Sequence, residues 1–149
     1  MGPDPKPPSR VTIRPVSSRA DTDRMAELLM AVAADDRSFP TELFSRDRSA
    51  NPHHVVLLEA KADRQVVSTG RLHFESTSEF ASLWSGSTLP AWRGRGIYRA
   101  LVAYRAGLAA GRGYQYLPAD ATENSQPVVE RLGFLPVSTT TPYLCSPSA

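Results

Sequence analysis

Residues 92–99 read Trp-Arg-Gly-Arg-Gly-Ile-Tyr-Arg, directly ahead of a stretch with helical apolar spacing. A glycine inside a helix costs about 1 kcal/mol relative to alanine, so Gly94 and Gly96 belong to the turn that enters the helix. A helix N-terminus offers unpaired backbone N–H groups and about half a positive charge, which together attract an anion. Glycines lack a Cβ and let the main chain approach a phosphate closely, and Arg93, Arg95 and Arg99 can supply charge around it. A pyrophosphate suits such a site. The bland alternative is that the glycines only shape a turn and the arginines are only solvated. No Gly-Lys-Ser/Thr follows, and Arg99 stands where a GxGxxG pattern needs its last glycine, so neither a nucleoside-triphosphate loop nor a dinucleotide fingerprint is present.

The elements that must position this turn follow from periodicity. Residues 1–10 carry prolines at 3, 5, 7 and 8 and read as a solvated, disordered tail, leaving residues 11–149 as one domain. Val11 and Ile13 alternate into a short first strand ending near Pro15. Met25, Leu28, Leu29 and Val32 fall on one helical stripe, with Asp21 expected as N-cap and Asp23 favourable to the helix dipole. A weaker helical or irregular piece covers 41–50. Residues 53–60, 65–74 and 80–89 are rich in β-branched and aromatic residues and joined by short polar links, so consecutive antiparallel strands are expected. The second strong helix places Ile97, Ala100, Leu101, Tyr104 and Leu108 on one face and stops at Gly111 and Gly113. Residues 114–121 read as a fifth strand, 125–134 as a short helix and 137–144 as a final strand. The order is that of an α+β, mixed-sheet domain, with the helix between the fourth and fifth strands able to serve as a parallel crossover.

Composition bounds the partners. A chain of 149 residues, 41% hydrophobic, forms one domain. Its net charge of +2 is small and interspersed, which gives no reason to expect nucleic acid or an anionic membrane. One cysteine, Cys145, excludes an internal disulfide and a thiolate metal cage, and a reducing cytoplasm is the natural setting. Adjacent His53 and His54 would point to opposite faces of a strand and make a poor metal site, so no metal is expected. The sequence contains neither a bilayer-length apolar run nor a secretory-signal core.

Arg93-Gly-Arg-Gly96-Ile-Tyr98 resembles the acyl-CoA pyrophosphate loop of the GNAT N-acetyltransferase superfamily, whose pattern is Arg or Gln, two residues, Gly, one residue, then Gly or Ala. Arg93 and Gly96 match and Tyr98 departs from it. The 11–16 stretch with its acidic helix start, the Leu-Pro-Ala-Trp passage into the loop, and Glu130-Arg-Leu-Gly-Phe134 resemble other parts of the same family. The resemblance implies a central, mostly antiparallel sheet whose fourth and fifth strands run parallel and splay apart around acetyl-CoA. Main-chain groups near Thr88 and Leu89 would pair with the pantetheine arm, and main-chain or side-chain groups of Arg93, Gly94, Arg95, Gly96, Ile97, Tyr98 and Arg99 would hold the pyrophosphate. With its backbone N–H retained, Tyr98 is expected to turn its ring outward or against the nucleotide. Pro118 donates no ladder hydrogen bond, which fits a strand that has lost a neighbour or a simple edge.

The implied activity is acetyl transfer from acetyl-CoA to an amine of a small molecule or peptide, by a monomer or homodimer. Two departures bear on catalysis. Val129 stands where many members carry a tyrosine that protonates the leaving thiolate, and residues 80–89 contain no carboxylate to act as base. Glu75, Glu79 and Tyr143 are the remaining acid–base candidates, with His73 nearby on the third strand. Thr122 and Asn124 compete for the pantetheine-facing position or the cap of the short helix at Ser125. Phe80 and Trp84 alternate with Ser82 and Gly86 and would line either a substrate pocket or the core. The rival reading is an acyl-CoA sensor of the same fold that turns nothing over.

Overall fold

The computed structural model describes residues 6–32, 46, 47, 49, 53–143 and 145. Strands β1 (Val11–Pro15), β2 (Val55–Ala62), β3 (Gln65–Phe74) and β4 (Ala81–Thr88) form one antiparallel sheet in that order. Helix α1 (Arg19–Val32) links β1 to the rest, and α2 (Ile97–Gly111) and α3 (Gln126–Arg131) follow β4. The result is a mixed α/β domain. Alternate residues point to opposite sheet faces, and the core divides accordingly. Val55 and Leu57 pack with Met25 and Leu29 of α1, while Val56, Leu72, Phe74, Ala81 and Leu83 pack with Val102 and Ala109 of α2.

Helix α1 begins earlier than its apolar stripe implies. Ser18 Oγ accepts the Asp21 N–H at 3.1 Å, so Ser18 is the cap and Asp21 lies inside the first turn, correcting the expected Asp21 cap. Asp21 instead enters a buried ion network. Arg14 reaches Asp21 at 3.1 Å and Glu59 at 2.6 Å, Lys61 reaches Glu59 at 3.2 Å, and Arg24 pairs with Asp21 from the next turn. The network ties α1 to β1 and β2. Its cations and the Ser18 hydroxyl act on one carboxyl: the Ser18 hydrogen bond first, with Arg24 and Arg14, lowers the Asp21 pKa to about 2 against the opposing effect of burial. The expected stripe otherwise stands, with Met25, Leu28 and Leu29 buried and Val32 half-buried.

The segment expected as a fifth strand meets β4 in the parallel sense at two isolated bridges, Phe80 to Tyr116 and Leu83 to Ala119, and forms no continuous ladder. Leu83 N–H donates to the Pro118 carbonyl at 2.9 Å, and proline has no N–H to continue the pairing. The expected final strand is absent too: residues 136–143 have no strand pairing, and Val137 and Tyr143 are exposed. Their alternation reads as a strand, but a strand exists only with a partner whose hydrogen-bonding groups it can meet. Among the described parts of 41–50, Arg46, Asp47 and Ser49 are helical, and the rest of that piece lies outside the described residues. Residues 6–10 of the expected tail run without helix or strand, Val11 N–H turning back to the Pro8 carbonyl at 3.0 Å.

The stop after α3 shows why Leu132-Gly-Phe134 ends a helix. Gly133 takes φ of +100°, its N–H donates to the Glu130 carbonyl at 2.9 Å and the Phe134 N–H to the Val129 carbonyl at 3.2 Å. This paired closure needs a left-handed residue at the glycine. It returns Phe134 to the α2 side of the core.

The buried face of α2 is rotated from its expected stripe. Ile97, Ala100 and Leu101 are buried as expected, but Tyr104 is exposed and Leu108 only half-buried, while Val102, Arg105 and Ala109 face inward. Arg105 is 0% exposed. An arginine reads as solvent-facing in a hydrophobic pattern, and only the local shape of the sheet makes room for this one. Thr69 pairs with Ser87 and Arg71 with Trp84, so Gly70 alone faces both Ser85 and Gly86 in a β-bulge. A Cβ on Gly70 would lie 2.8 Å from Arg105 Cζ. Arg105 fills that gap and donates through Nη1 to the carbonyls of Arg71 and Trp84, each at 3.3 Å, and through Nε to Leu101 at 3.3 Å.

Gly70→Ala is therefore expected to lower folding stability by about 1–3 kcal/mol, the usual cost of overpacking a core, with chemical denaturation as the measurement. Asp21 predicts a second effect. Its folded pKa lies below its ordinary value of 3.8, so its contribution is present above pH 4 and is lost as pH falls towards about 2. Thermal melts across that range should show a steeper acid loss in the native protein than in Asp21→Asn.

Candidate functional site

Beyond the bulge, β4 leads through a 3-10 turn, Pro90–Trp92, into the glycine loop. Gly94 has φ of +70° and Gly96 of +78°, a left-handed conformation that favours glycine. A Cβ at either would meet nothing within 4 Å, so these glycines are required by backbone conformation and leave the concave side of the loop open. Gly96 caps α2 without a side-chain bond. The first helical bond runs from the Ala100 N–H to the Gly96 carbonyl at 3.0 Å, so the N–H groups of Ile97, Tyr98 and Arg99 precede the ladder.

A cleft of about 650 Å³ opens in front of these groups. Gly86, Ser87 and Thr88 of β4 form one wall, the loop and first turn of α2 form the floor, and Asn124, Ser125, Val128 and Arg131 form the far side. Arg93, Arg99 and Arg131 line it, and no carboxylate does so among the described residues. Its charge is therefore positive at the end where the helix dipole is positive. Arg131 escaped sequence reading because it lies outside the loop and looks like a surface residue at the end of a short helix. Its i,i+4 relation to nothing chemical gave no signal.

The loop arginines divide their work. Arg93 Nε donates to the Thr88 carbonyl at 3.1 Å and holds the loop to the strand. Arg95 lies over the Trp92 ring, 4.7 Å from its centroid, and does not line the cleft. Arg99 is exposed and faces it. Thr88 is buried and shares a hydrogen bond with Ser68 Oγ at 2.9 Å. Leu89 donates its N–H to Val67 at 2.9 Å and is not part of the cleft wall. Thr122 and Ser125 bond one another around the start of α3, the Thr122 N–H to Ser125 Oγ at 2.8 Å, while Asn124 faces the cleft. The polar pair thus separates into a helix-start clasp and a cleft residue.

Tyr98 does not turn outward. Its ring lies inward against β4, where a Cβ on Gly86 would come within 2.7 Å of Cε2 and 3.0 Å of the phenol oxygen. The absence of a side chain at Gly86 creates this berth. Tyr98 also neighbours Arg105: burial lowers the Arg105 pKa to about 10, and Tyr98 opposes that shift. Arg105 Nη2 has no hydrogen-bond partner.

The acid–base candidates lie elsewhere. Glu75 is exposed beyond β3, its Oε1 3.5 Å from His73 Nδ1. Glu79 is exposed and bonded to the Gln115 side chain. Tyr143 is 89% exposed. None of the three lines the cleft. Val129 is buried, with an apolar side chain that offers no proton. His53 and His54 occupy the turn before β2 and not the strand itself, and Cys145 is exposed. On the sheet face opposite α2, Phe80 stacks with Tyr116 at a centroid distance of 5.0 Å. Trp84, on that same face, is 44% exposed, so this aromatic stripe is surface and not core. No described helix is long and apolar enough to cross a membrane.

Solved structures share this architecture at low identity. Glucosamine-6-phosphate N-acetyltransferase from Arabidopsis thaliana has a TM-score of 0.75 at 16% identity, covering 91% of this chain and 99% of its own. AAC(6')-Iy, solved with a bisubstrate analogue of CoA and acetylneamine, has a TM-score of 0.77 at 18% identity, covering 93% and 99%. A predicted acetyltransferase from Clostridium acetobutylicum, solved with acetyl-CoA, has a TM-score of 0.72 at 15% identity, covering 90% and 96%. No curated protein matches the sequence significantly. Residues 22–134, spanning the α1 stripe, the bulged sheet, the glycine loop and the Leu-Gly-Phe stop, match the Acetyltransferase (GNAT) family, and the chain belongs to it.

Proposed function

We propose that this protein transfers an acyl group, most simply acetyl from acetyl-CoA, directly to the amine of a small molecule or peptide. The observation that carries this reading is the cleft: unpaired helix-start amides and three arginines in its lining, a bulged strand in its wall, and no carboxylate lining it among the described residues. A diphosphate would rest on the N–H groups of Ile97, Tyr98 and Arg99, with Arg99 and Arg131 reaching its oxygens. The pantetheine arm would run along Gly86–Thr88 and past Asn124. Bulge residues Ser85 and Gly86 have no register partner on β3, so a main-chain N–H there would polarise the thioester carbonyl. The neighbours solved with acetyl-CoA and with a bisubstrate analogue of CoA and acetylneamine support an acyl-CoA donor and an amine acceptor on this fold.

The enzyme would act chiefly by position and by preorganised dipoles. The acceptor amine would approach from the opposite face, over Ser82 and Trp84. Its nitrogen attacks the thioester carbon, the C–S bond breaks, and the nitrogen loses one proton while the sulfur gains one. A sensor that binds acyl-CoA without turnover is the second reading, favoured by the distance of Glu75, Glu79 and Tyr143 from the cleft wall. We place the protein in the cytoplasm on the strength of its single cysteine.

Acetyl-CoA at a hundredfold excess over its Kd should stabilise the fold by about 2.7 kcal/mol, raising Tm by roughly 5–10 °C for a domain of this size. Gly96→Asp and, with less demand on the loop backbone, Arg131→Glu should each remove most of that rise. An unchanged melting curve for the native protein refutes donor binding. Release of free thiol that depends on added amine distinguishes the enzyme from the sensor.

A further inference from the structure

The pairing of Tyr98 with Arg105 is unexplained by anion binding. Two glycines are spent on it: Gly86 clears the phenol and Gly70 clears the guanidinium, each at a distance where a Cβ would collide. Arg105 is fully buried, its Nη2 has no hydrogen-bond partner, and the group acting on it is the Tyr98 phenol and no carboxylate. Its Nη1 holds the Trp84 carbonyl, one residue before the bulge; Gly70, over the guanidinium, faces Gly86, over the phenol, across that bulge, and Tyr98 lines the cleft. Buried cations are ordinarily matched by an anion. Here the group that can become one is the phenol.

Resting on the reading above, we propose that the Tyr98 phenol is the catalytic proton donor to the departing sulfur, with Arg105 as the positioning residue that orients it and receives the charge it develops. The amine nitrogen forms its bond to the thioester carbon, the C–S bond breaks with its electron pair on sulfur, and the sulfur takes the phenol proton. The proton lost by the nitrogen returns through water to the phenolate, so the enzyme ends unchanged. A phenolate there faces the charge of Arg105 on α2, with no carboxylate lining the cleft among the described residues and no titratable side chain from β4 at the bulge. Val129 leaves the proton to be supplied from elsewhere, and Tyr98 brings a phenol O–H to the cleft wall.

Tyr98→Phe keeps the ring against Gly86 and removes only the oxygen. It should retain the acetyl-CoA melting shift and change KM for the donor by less than about threefold, while kcat falls by about a hundredfold, the range of a general acid. Arg105→Met should lower kcat while leaving the donor KM and the acetyl-CoA melting shift in place, and Arg105→Lys should restore part of the lost kcat. Native-like kcat in Tyr98→Phe overturns the proposal and leaves the acyltransferase reading intact. Loss of the melting shift together with the rate overturns it as well, since Tyr98 would then be a binding group. Failure of the native protein to bind acetyl-CoA removes both.

Discussion

Arg105 carries its charge where no solvent reaches it, and the shape of the whole site follows from how that charge is accommodated. A guanidinium cannot be buried among apolar groups alone. It is accepted here by three carbonyls, two of which, Arg71 and Trp84, flank the place where β3 and β4 lose register. The bulge supplies the acceptors and the arginine fixes the bulge. The irregular backbone at Ser85, at φ of +51°, lies next to the Trp84 carbonyl that Arg105 holds, and such backbone persists where its surroundings over-determine it.

From that point the cleft is assembled by subtraction. Pro118, which has no N–H, lies between the two isolated parallel bridges to β4, and Gly86–Thr88 are left unpaired on the side away from β3 among the described residues. Gly86 lacks the side chain that would fill the space under Tyr98, and Gly94 and Gly96 lack those that would forbid the loop its turn. What remains is a concave wall of amides and guanidinium groups. An anion gains there from the helix dipole and from charge-assisted hydrogen bonds at once.

The other face of the sheet is held differently. Asp21 and Glu59 are buried with Arg14, Arg24 and Lys61 around them, a network that joins α1 to the first two strands. Such buried ion groups gain little over well-packed apolar residues but are costly to break singly. They define the seat of α1, and with it the sheet face on which Trp84, Ser82 and the Phe80–Tyr116 stack are presented.

Much of this was legible in residue order, because periodicity and turn chemistry are local. The stripe of Met25, Leu28 and Leu29, the antiparallel strands, the glycine loop that enters α2, and the stop at Gly133 all depend on neighbours within a few residues. The Ser18 cap was missed by three positions because Asp21 carries equal capping propensity. The final strand was misread because alternation around Val137 cannot report the lack of a pairing partner. The inward turn of Tyr98, the burial of Arg105 and the place of Arg131 in the cleft wall were decided only in three dimensions. Each depends on what a distant element lacks or offers: a Cβ missing at Gly86, another at Gly70, carbonyls freed at a bulge. A sequence states its own side chains, but the space left by another segment's absent ones exists only after the chain has folded.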